Sequence, residues 1–297
     1  MAKLTVPGTT VGLMAETDKM HNPSHGTTAI RTCPFATFGI SERGNQAICG
    51  VSRDETSCYA TRGRSVMANV KRAYAARADW TLAALRGTPE DSAAWVETLV
   101  KGIRQATKGR QPVFRWFDAG DFMSPAHIRM VQDVVAETPD VQQWAPTRSW
   151  QGVIREWEEA GSPPVGYGHS DWSDHEVDVW NRYVTAPASR WTRAFADLCS
   201  LPNIAVRPSA LYVNEPFDPR HLEVLAALGF SGPGEVTTGE DYTCPASDQG
   251  GACDGTKVGG VNCTACYAKD ASVRRYKTHA ASFITVEGLV GSHRRKG

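Results

Sequence analysis

Eight cysteines stand in this chain of 297 residues, and seven of them fall into two groups. Cys33, Cys49 and Cys58 lie near the N-terminus; Cys244, Cys253, Cys263 and Cys266 lie near the C-terminus. Each group opens with Thr-Cys-Pro, at Cys33 and at Cys244, and each closes with Cys-Tyr-Ala, at Cys58 and at Cys266. One loop pattern is therefore used twice. Core thiols have no reason to repeat in register, whereas thiolates that must converge on a metal do. Clustered cysteines in a chain without a secretory layout point to metal or redox chemistry rather than to disulfides.

Soft thiolates suit zinc or iron–sulfur clusters. Structural zinc usually takes paired knuckles, and only Cys263 and Cys266 form such a pair. The other neighbouring cysteines are separated by eight to fifteen residues, which suits a loop wrapped around a larger object. A group of three is also informative. Zinc would need a fourth ligand such as His25, whereas a four-iron cluster can be held by three thiolates with one iron open. Proline follows Cys33 and Cys244, as it often follows a cluster cysteine. The expectation is one or two iron–sulfur clusters, of the four-iron type. Zinc in at least one site is the alternative, and a single centre shared by both groups is also open.

The elements that must position these ligands are legible in the hydrophobic pattern. Val113–Phe117 reads as a buried strand, followed by the turn Asp118–Asp121 and a helix capped by Ser124 with Pro125 at its first position. Val141–Ala145 reads as a second strand, followed by a helix through Ile154 and Trp157. Pro164–Gly168 is a weaker strand before a helix that opens with Ser173 in a capping-box pattern. Residues 204–206 and 211–213 read as two further short strands. A helix follows, capped by Asp218 and ended by Gly229. Upstream, Thr27–Ile30 is a candidate first strand, and 66–85 and 93–103 are helical. Cys199 ends an amphipathic helix with Trp191, Phe195 and Leu198, which is the place of a core thiol.

Repeated strand–helix units imply a parallel sheet, here a partial (β/α) barrel over residues 1–240 carrying the three-cysteine loop. Residues 241–297 form a C-terminal cysteine-rich metal module and tail. In such sheets chemistry collects at the C-terminal strand ends, where Asp118–Asp121, Thr147-Arg148-Ser149 and His169-Ser170-Asp171 fall. Lys+Arg and Asp+Glu balance at 32 each, which argues against a nucleic-acid partner. The basic run His293–Lys296 is too short to change that. No stretch reaches the roughly 18 consecutive apolar residues of a membrane span, so a cytoplasmic protein is expected.

The segments Arg115-Trp116-Phe117-Asp118-Ala119-Gly120-Asp121-Phe122 and Trp144–Trp150, with the Cys-Pro and Cys-Tyr-Ala ends, resemble the actinobacteriophage gene product 88 family. The resemblance runs from Cys33 to Ala268. It implies a phage protein in the cytoplasm of a bacterial host, and the family carries no established activity. More distantly, the layout is similar to that of the radical S-adenosylmethionine superfamily. Those enzymes use a partial barrel with three cysteines after the first strand, and many add a C-terminal cluster module. Their usual spacing of three and then two residues is replaced here by fifteen and eight.

That second resemblance implies S-adenosylmethionine as a cofactor and gives roles to the mouth residues. Asp118, Gly120 and Asp121 would orient the cofactor's amine or ribose, and Arg148 would take its carboxylate or an anionic substrate. His169, with Asp171, would contact substrate or transfer a proton. Plainer readings stand beside these: Asp118 as a turn cap, Arg148 in a surface ion pair, His169 as a hydrogen-bonded loop residue. A different function class is also open, a redox-sensing or host-protein-binding protein without turnover. Its surface would draw on Trp116, Trp144, Trp150 and Trp172, although tryptophan is more often core.

Overall fold

Seven strands lie side by side in chain order in the computed structural model, which describes residues 4–16, 23–27, 33–34, 67–163, 165, 173–185, 187, 190–213, 217–237, 265–270 and 272–277. β1 (Ala15–Glu16) pairs antiparallel with β2 (Pro23–His25). β3 (Val113–Trp116), β4 (Gln142–Thr147), β5 (Ile204–Val213), β6 (Gly234–Thr237) and β7 (Arg274–Lys277) follow, each parallel to the strand before it. The fold is mixed α/β.

Helices α1 (Ala68–Arg86) and α2 (Pro89–Thr107) come between β2 and β3, and α3 (Pro125–Ala136) between β3 and β4. Three more, α4 (Trp150–Glu159), α5 (Asp174–Val184) and α6 (Trp191–Ser200), separate β4 from β5. α7 (Pro219–Ala227) follows β5. Local chemistry sets their starts. Thr88 and Asp91 form a reciprocal capping box at α2, with Pro89 in its first turn. Ser124 accepts from the His127 amide at α3, and Asp218 from the Arg220 amide at α7. Gly229, at φ +85°, ends α7.

Parallel strands taken in chain order with helical connections leave the helices on one face. Packing follows that rule. Phe114, Trp116, Ala145, Ile204 and Val206 belong to the core shared with Leu99, Ile103, Ile128, Val153 and Phe195 from the helices. Val113 and Trp144 alternate with them along the strands and belong to a second, small cluster with Tyr267 and Cys266. Among the described residues the sheet thus has one face packed by the α-helices and an opposite face that carries the short turn Ala265–Tyr267.

The structure moves several sequence expectations. Pro23–His25 forms a strand just ahead of the expected Thr27–Ile30, of which only Thr27 lies within the described residues. Proline is tolerated as a strand's opening residue, and Gly26 ends the run, leaving Thr27 in the following loop. The two strands expected at 204–206 and 211–213 are one strand of ten residues. The polar Arg207-Pro208-Ser209 hid its middle, but the Arg207 guanidinium is buried and paired. β6 and β7 gave no apolar alternation to read, and β7, Arg-Arg-Tyr-Lys, lies beyond residue 241 yet pairs with β6. Pro164–Gly168 lies outside the described residues except for Val165.

Candidate functional site

The C-terminal ends of β2, β3 and β4 are tied into one structure by the loop Phe117–Phe122. Phe117 leaves β3 with φ 53°, a left-handed conformation that a bulky side chain rarely adopts. Such a residue costs on the order of 1–3 kcal/mol and persists only when its surroundings fix it. Two backbone bonds do so. The Phe117 amide donates to His25 O at 3.0 Å, and the Thr27 amide donates to Ala119 O at 2.8 Å. Gly120, at φ +83°, completes the turn.

Asp118 and Asp121 divide the work of this loop. Asp118 is half-buried and its Oδ2 accepts from the Tyr74 hydroxyl of α1 at 3.0 Å. A Cβ on Gly26 would lie 1.8 Å from Asp118 Oδ1, so only glycine allows this approach. Asp121 is buried. Its Oδ1 accepts from the Phe122 amide at 2.7 Å and the Thr147 hydroxyl at 2.6 Å, and its Oδ2 from the Arg148 amide at 2.7 Å. Ser149 adds a bond from its hydroxyl to Phe122 O at 3.0 Å. Asp121 is the brace between the β3 and β4 loops, while Asp118 and Arg148 are half-buried at the rim.

Sequence reasoning missed α1's part in this rim. Arg77 is buried and donates from Nε and Nη2 to Gly12 O at 3.1 and 2.9 Å, and from Nη1 to Gly26 O at 3.5 Å. Burial pulls its pKa down from the ordinary guanidinium value, and the Asp118 carboxylate opposes that pull. An arginine in a run of alanines on a helix carries no signal of this role. His25 and His127 lie behind the loop, fully enclosed near Trp95. Burial pushes both down to about 3, so both are neutral imidazoles at neutral pH.

On the opposite face, the turn Ala265–Tyr267 packs Cys266 and Tyr267 against Val113 of β3 and Trp144 of β4. The Arg115 guanidinium lies 4.7 Å from the Trp144 ring centroid. Arg207 of β5, almost wholly buried, clamps the backbone on either side. It donates from Nε to Cys266 O at 3.2 Å, from Nη1 to Gly232 O at 2.7 Å and Ser272 O at 3.2 Å, and from Nη2 to Ala268 O at 2.5 Å and Asp270 Oδ1 at 3.2 Å.

Of the seven grouped cysteines, Cys33 and Cys266 are described, and both are half-buried. Cys49, Cys58, Cys244, Cys253 and Cys263 lie outside the described residues, as do His169, Asp171 and Trp172. Among the described residues no three His, Cys, Asp or Glu side chains converge as a metal site. His25, the candidate fourth zinc ligand, donates from Nδ1 to Leu13 O, 3.2 Å away. Cys199 is the core thiol expected of it; burial pushes its pKa up to about 12, which keeps it protonated. Trp116, Trp144 and Trp150 are buried rather than displayed. No helix among the described residues is long and apolar enough to cross a membrane.

No curated protein and no solved structure matches the chain. A family model described as Gene product 88 matches residues 3–167, which takes in β1 to β4, the rim loops and the N-terminal cysteine group. That match covers more than half of the chain, which belongs to the gene product 88 family of phage proteins.

Proposed function

We propose that this chain is an iron–sulfur cluster-binding phage protein on a radical-SAM-like partial (β/α) barrel, acting in the host cytoplasm. Its activity on this reading is a reductive radical reaction at the rim of the sheet. The observation that carries it is the duplicated pattern from Thr-Cys-Pro to Cys-Tyr-Ala. Seven cysteines in two groups with matching ends suit a soft metal, and spacings of eight to fifteen residues favour a cluster over a single ion. Strands in chain order, parallel from β2 onward, with helices on one face support the barrel plan.

The donor chemistry of the grouped cysteines is what supports a cluster. Cys33, Cys49 and Cys58 follow β2, whose C-terminal end is part of the rim. When bound, a cluster with one open iron supplies an electron and a coordination position for S-adenosylmethionine. The chain's own residues do the rest. Asp118, oriented by Tyr74, receives the cofactor's amine or ribose hydroxyls, and Gly120 leaves its backbone close to them. Arg148 takes a carboxylate. Asp121 positions Arg148 and the loop through the three bonds it accepts. His169 is assigned to substrate contact or proton transfer.

Incubation of the reduced, anaerobically purified chain with S-adenosylmethionine tests the reaction. Cleavage of the cofactor that falls at least tenfold in Asp118→Asn supports it. Intact clusters with no cleavage identify a redox or host-protein-binding role without turnover. A zinc reading is favoured by one observation, the two-residue spacing of Cys263 and Cys266. It predicts a colourless protein with zinc and no sulfide.

A further inference from the structure

A cavity of about 330 Å³ opens away from the rim, where β2 begins at Pro23. That volume lies within the range of small-molecule sites. Met14, Ala15, Pro23 and Ala106 give it apolar walls. Leu4 also lines it and, at 36% exposed, presents apolar surface that a ligand could cover. The walls are fixed before any ligand arrives. The Leu13 amide donates to Leu4 O at 2.9 Å, and Arg77 grips Gly12 O through two bonds. A Cβ on Gly102 of α2 would lie 2.6 Å from a Leu13 methyl carbon and 2.7 Å from that of Met14, so glycine lets the N-terminal segment sit flush on α2. Cations edge the cavity. Lys108 follows α2 and Arg110 comes two residues later, both exposed. Gly109, at φ +74°, turns the chain between them, and the Arg110 amide closes that turn on Thr107 O at 3.1 Å. A cation at a helix end often only answers its carbonyls, but Arg110 lies beyond the helix and lines the same cavity. No acidic side chain of the described residues does so.

We propose that this cavity binds a small amphipathic carboxylate, with its apolar body against Met14, Ala15 and Ala106 and its head at Lys108 and Arg110. The site goes beyond the cluster reading and does not depend on it. Apolar walls take the ligand's hydrocarbon out of water, and a guanidinium fork pairs with a carboxylate through two parallel bonds. Charge sets the head group. The C-terminal end of α2 is the negative end of its dipole, so two cations there suit one negative charge better than a doubly charged phosphate. Ion pairs at an exposed mouth are weak. The hydrocarbon therefore supplies most of the affinity, and the cations set the selectivity for an acid over an uncharged analogue.

Isothermal titration of the full, anaerobically purified chain with butanoate, hexanoate and octanoate tests the site, with octanol as the uncharged probe. A single site is expected, and each added methylene group should strengthen binding about fourfold. In a chain carrying both Lys108→Gln and Arg110→Gln, octanoate should bind about tenfold more weakly while octanol is unchanged. Both side chains are exposed, so this variant keeps the fold. Ala106→Trp fills the cavity and should abolish binding of either probe. A thermal melt shows whether it folds, and where it does not, the charge variant decides. A folded wild-type chain that takes up no octanoate overturns the inference. So does an affinity that stays flat from butanoate to octanoate, or octanoate binding that the charge variant or a folded Ala106→Trp leaves unmoved. None of these outcomes bears on iron or sulfide content, so the cluster reading stands or falls separately.

Discussion

At the scale of single residues, enclosed polar groups stand behind the rim. His25 and His127 are neutral when folded, with pKa values near 3, against about 6.5 in an unfolded chain. Unfolding therefore takes up protons below pH 6.5, and stability is lost as pH falls from there toward 3. Linkage puts the loss at about 2 kcal/mol per histidine at about pH 5 relative to pH 8. Urea unfolding across that range should show it, and a His127→Leu variant that still folds should show a shallower slope. A flat profile between pH 8 and 5 in the wild type contradicts the burial account. Gly26 makes a second prediction. In Gly26→Ala the new methyl group meets the Asp118 carboxylate, which must leave Tyr74, at a cost of about 1–3 kcal/mol. Tyr74→Phe, which removes the hydrogen bond alone, should cost about 1 kcal/mol. Thermal melts of the two order the effects, and an equal or smaller loss in Gly26→Ala sinks the close-approach argument.

Among the elements, the helices are held at their ends by side chains from neighbouring elements as much as by their own caps. Glu156 of α4 is buried and faces the N-terminus of α6. It accepts from the Trp191 amide at 2.9 Å, the Thr192 amide at 3.0 Å and the Thr192 hydroxyl at 2.7 Å, with Arg190 3.5 Å away. The positive end of the helix and these donors suit a carboxylate. Glu156→Ala leaves them buried without an acceptor and should cost roughly 3 kcal/mol, while Glu156→Gln should cost less. Chemical denaturation measures both, and a loss under 1 kcal/mol in Glu156→Ala contradicts the account. Asn203 does similar work, donating to the carbonyls of Val135, Thr138 and Val141 at the end of α3. Caps within a helix's own sequence were legible: Ser124 and Asp218 are where the pattern places them. Glu156 and Asn203 were not, because their partners lie in other elements and sequence spacing says nothing about them. The same holds at the rim. The loop Asp118–Asp121 and Arg148 could be picked as strand-end residues, but the division between a braced Asp121 and a rim Asp118 needed coordinates. Arg207 broke a strand in the sequence reading because an arginine amid apolar residues looks like a turn. In the fold its five acceptors make it the clamp of the C-terminal segment.

For the whole molecule, the helices of the described residues pack on one side of the sheet, and Cys266 lies on the other. The alternation of Phe114 and Trp116 with Val113 and Arg115 already separates the two faces, and the duplicated cysteine pattern already marks seven cysteines as candidate ligands. What the sequence did not tell is that the segment beyond residue 241 returns to the sheet as β7 and through Arg207. If the two cysteine groups hold separate centres, Cys263→Ala should remove iron from the C-terminal centre and leave the N-terminal one loaded. Loss of all iron from a folded Cys263→Ala chain points instead to one shared centre. The central claim is tested most directly by counting iron, sulfide and zinc on one anaerobically purified sample and recording its absorption spectrum. The account predicts a brown protein with about equal iron and sulfide and a broad band near roughly 400 nm, as thiolate-ligated clusters give. A colourless protein carrying zinc without sulfide contradicts it.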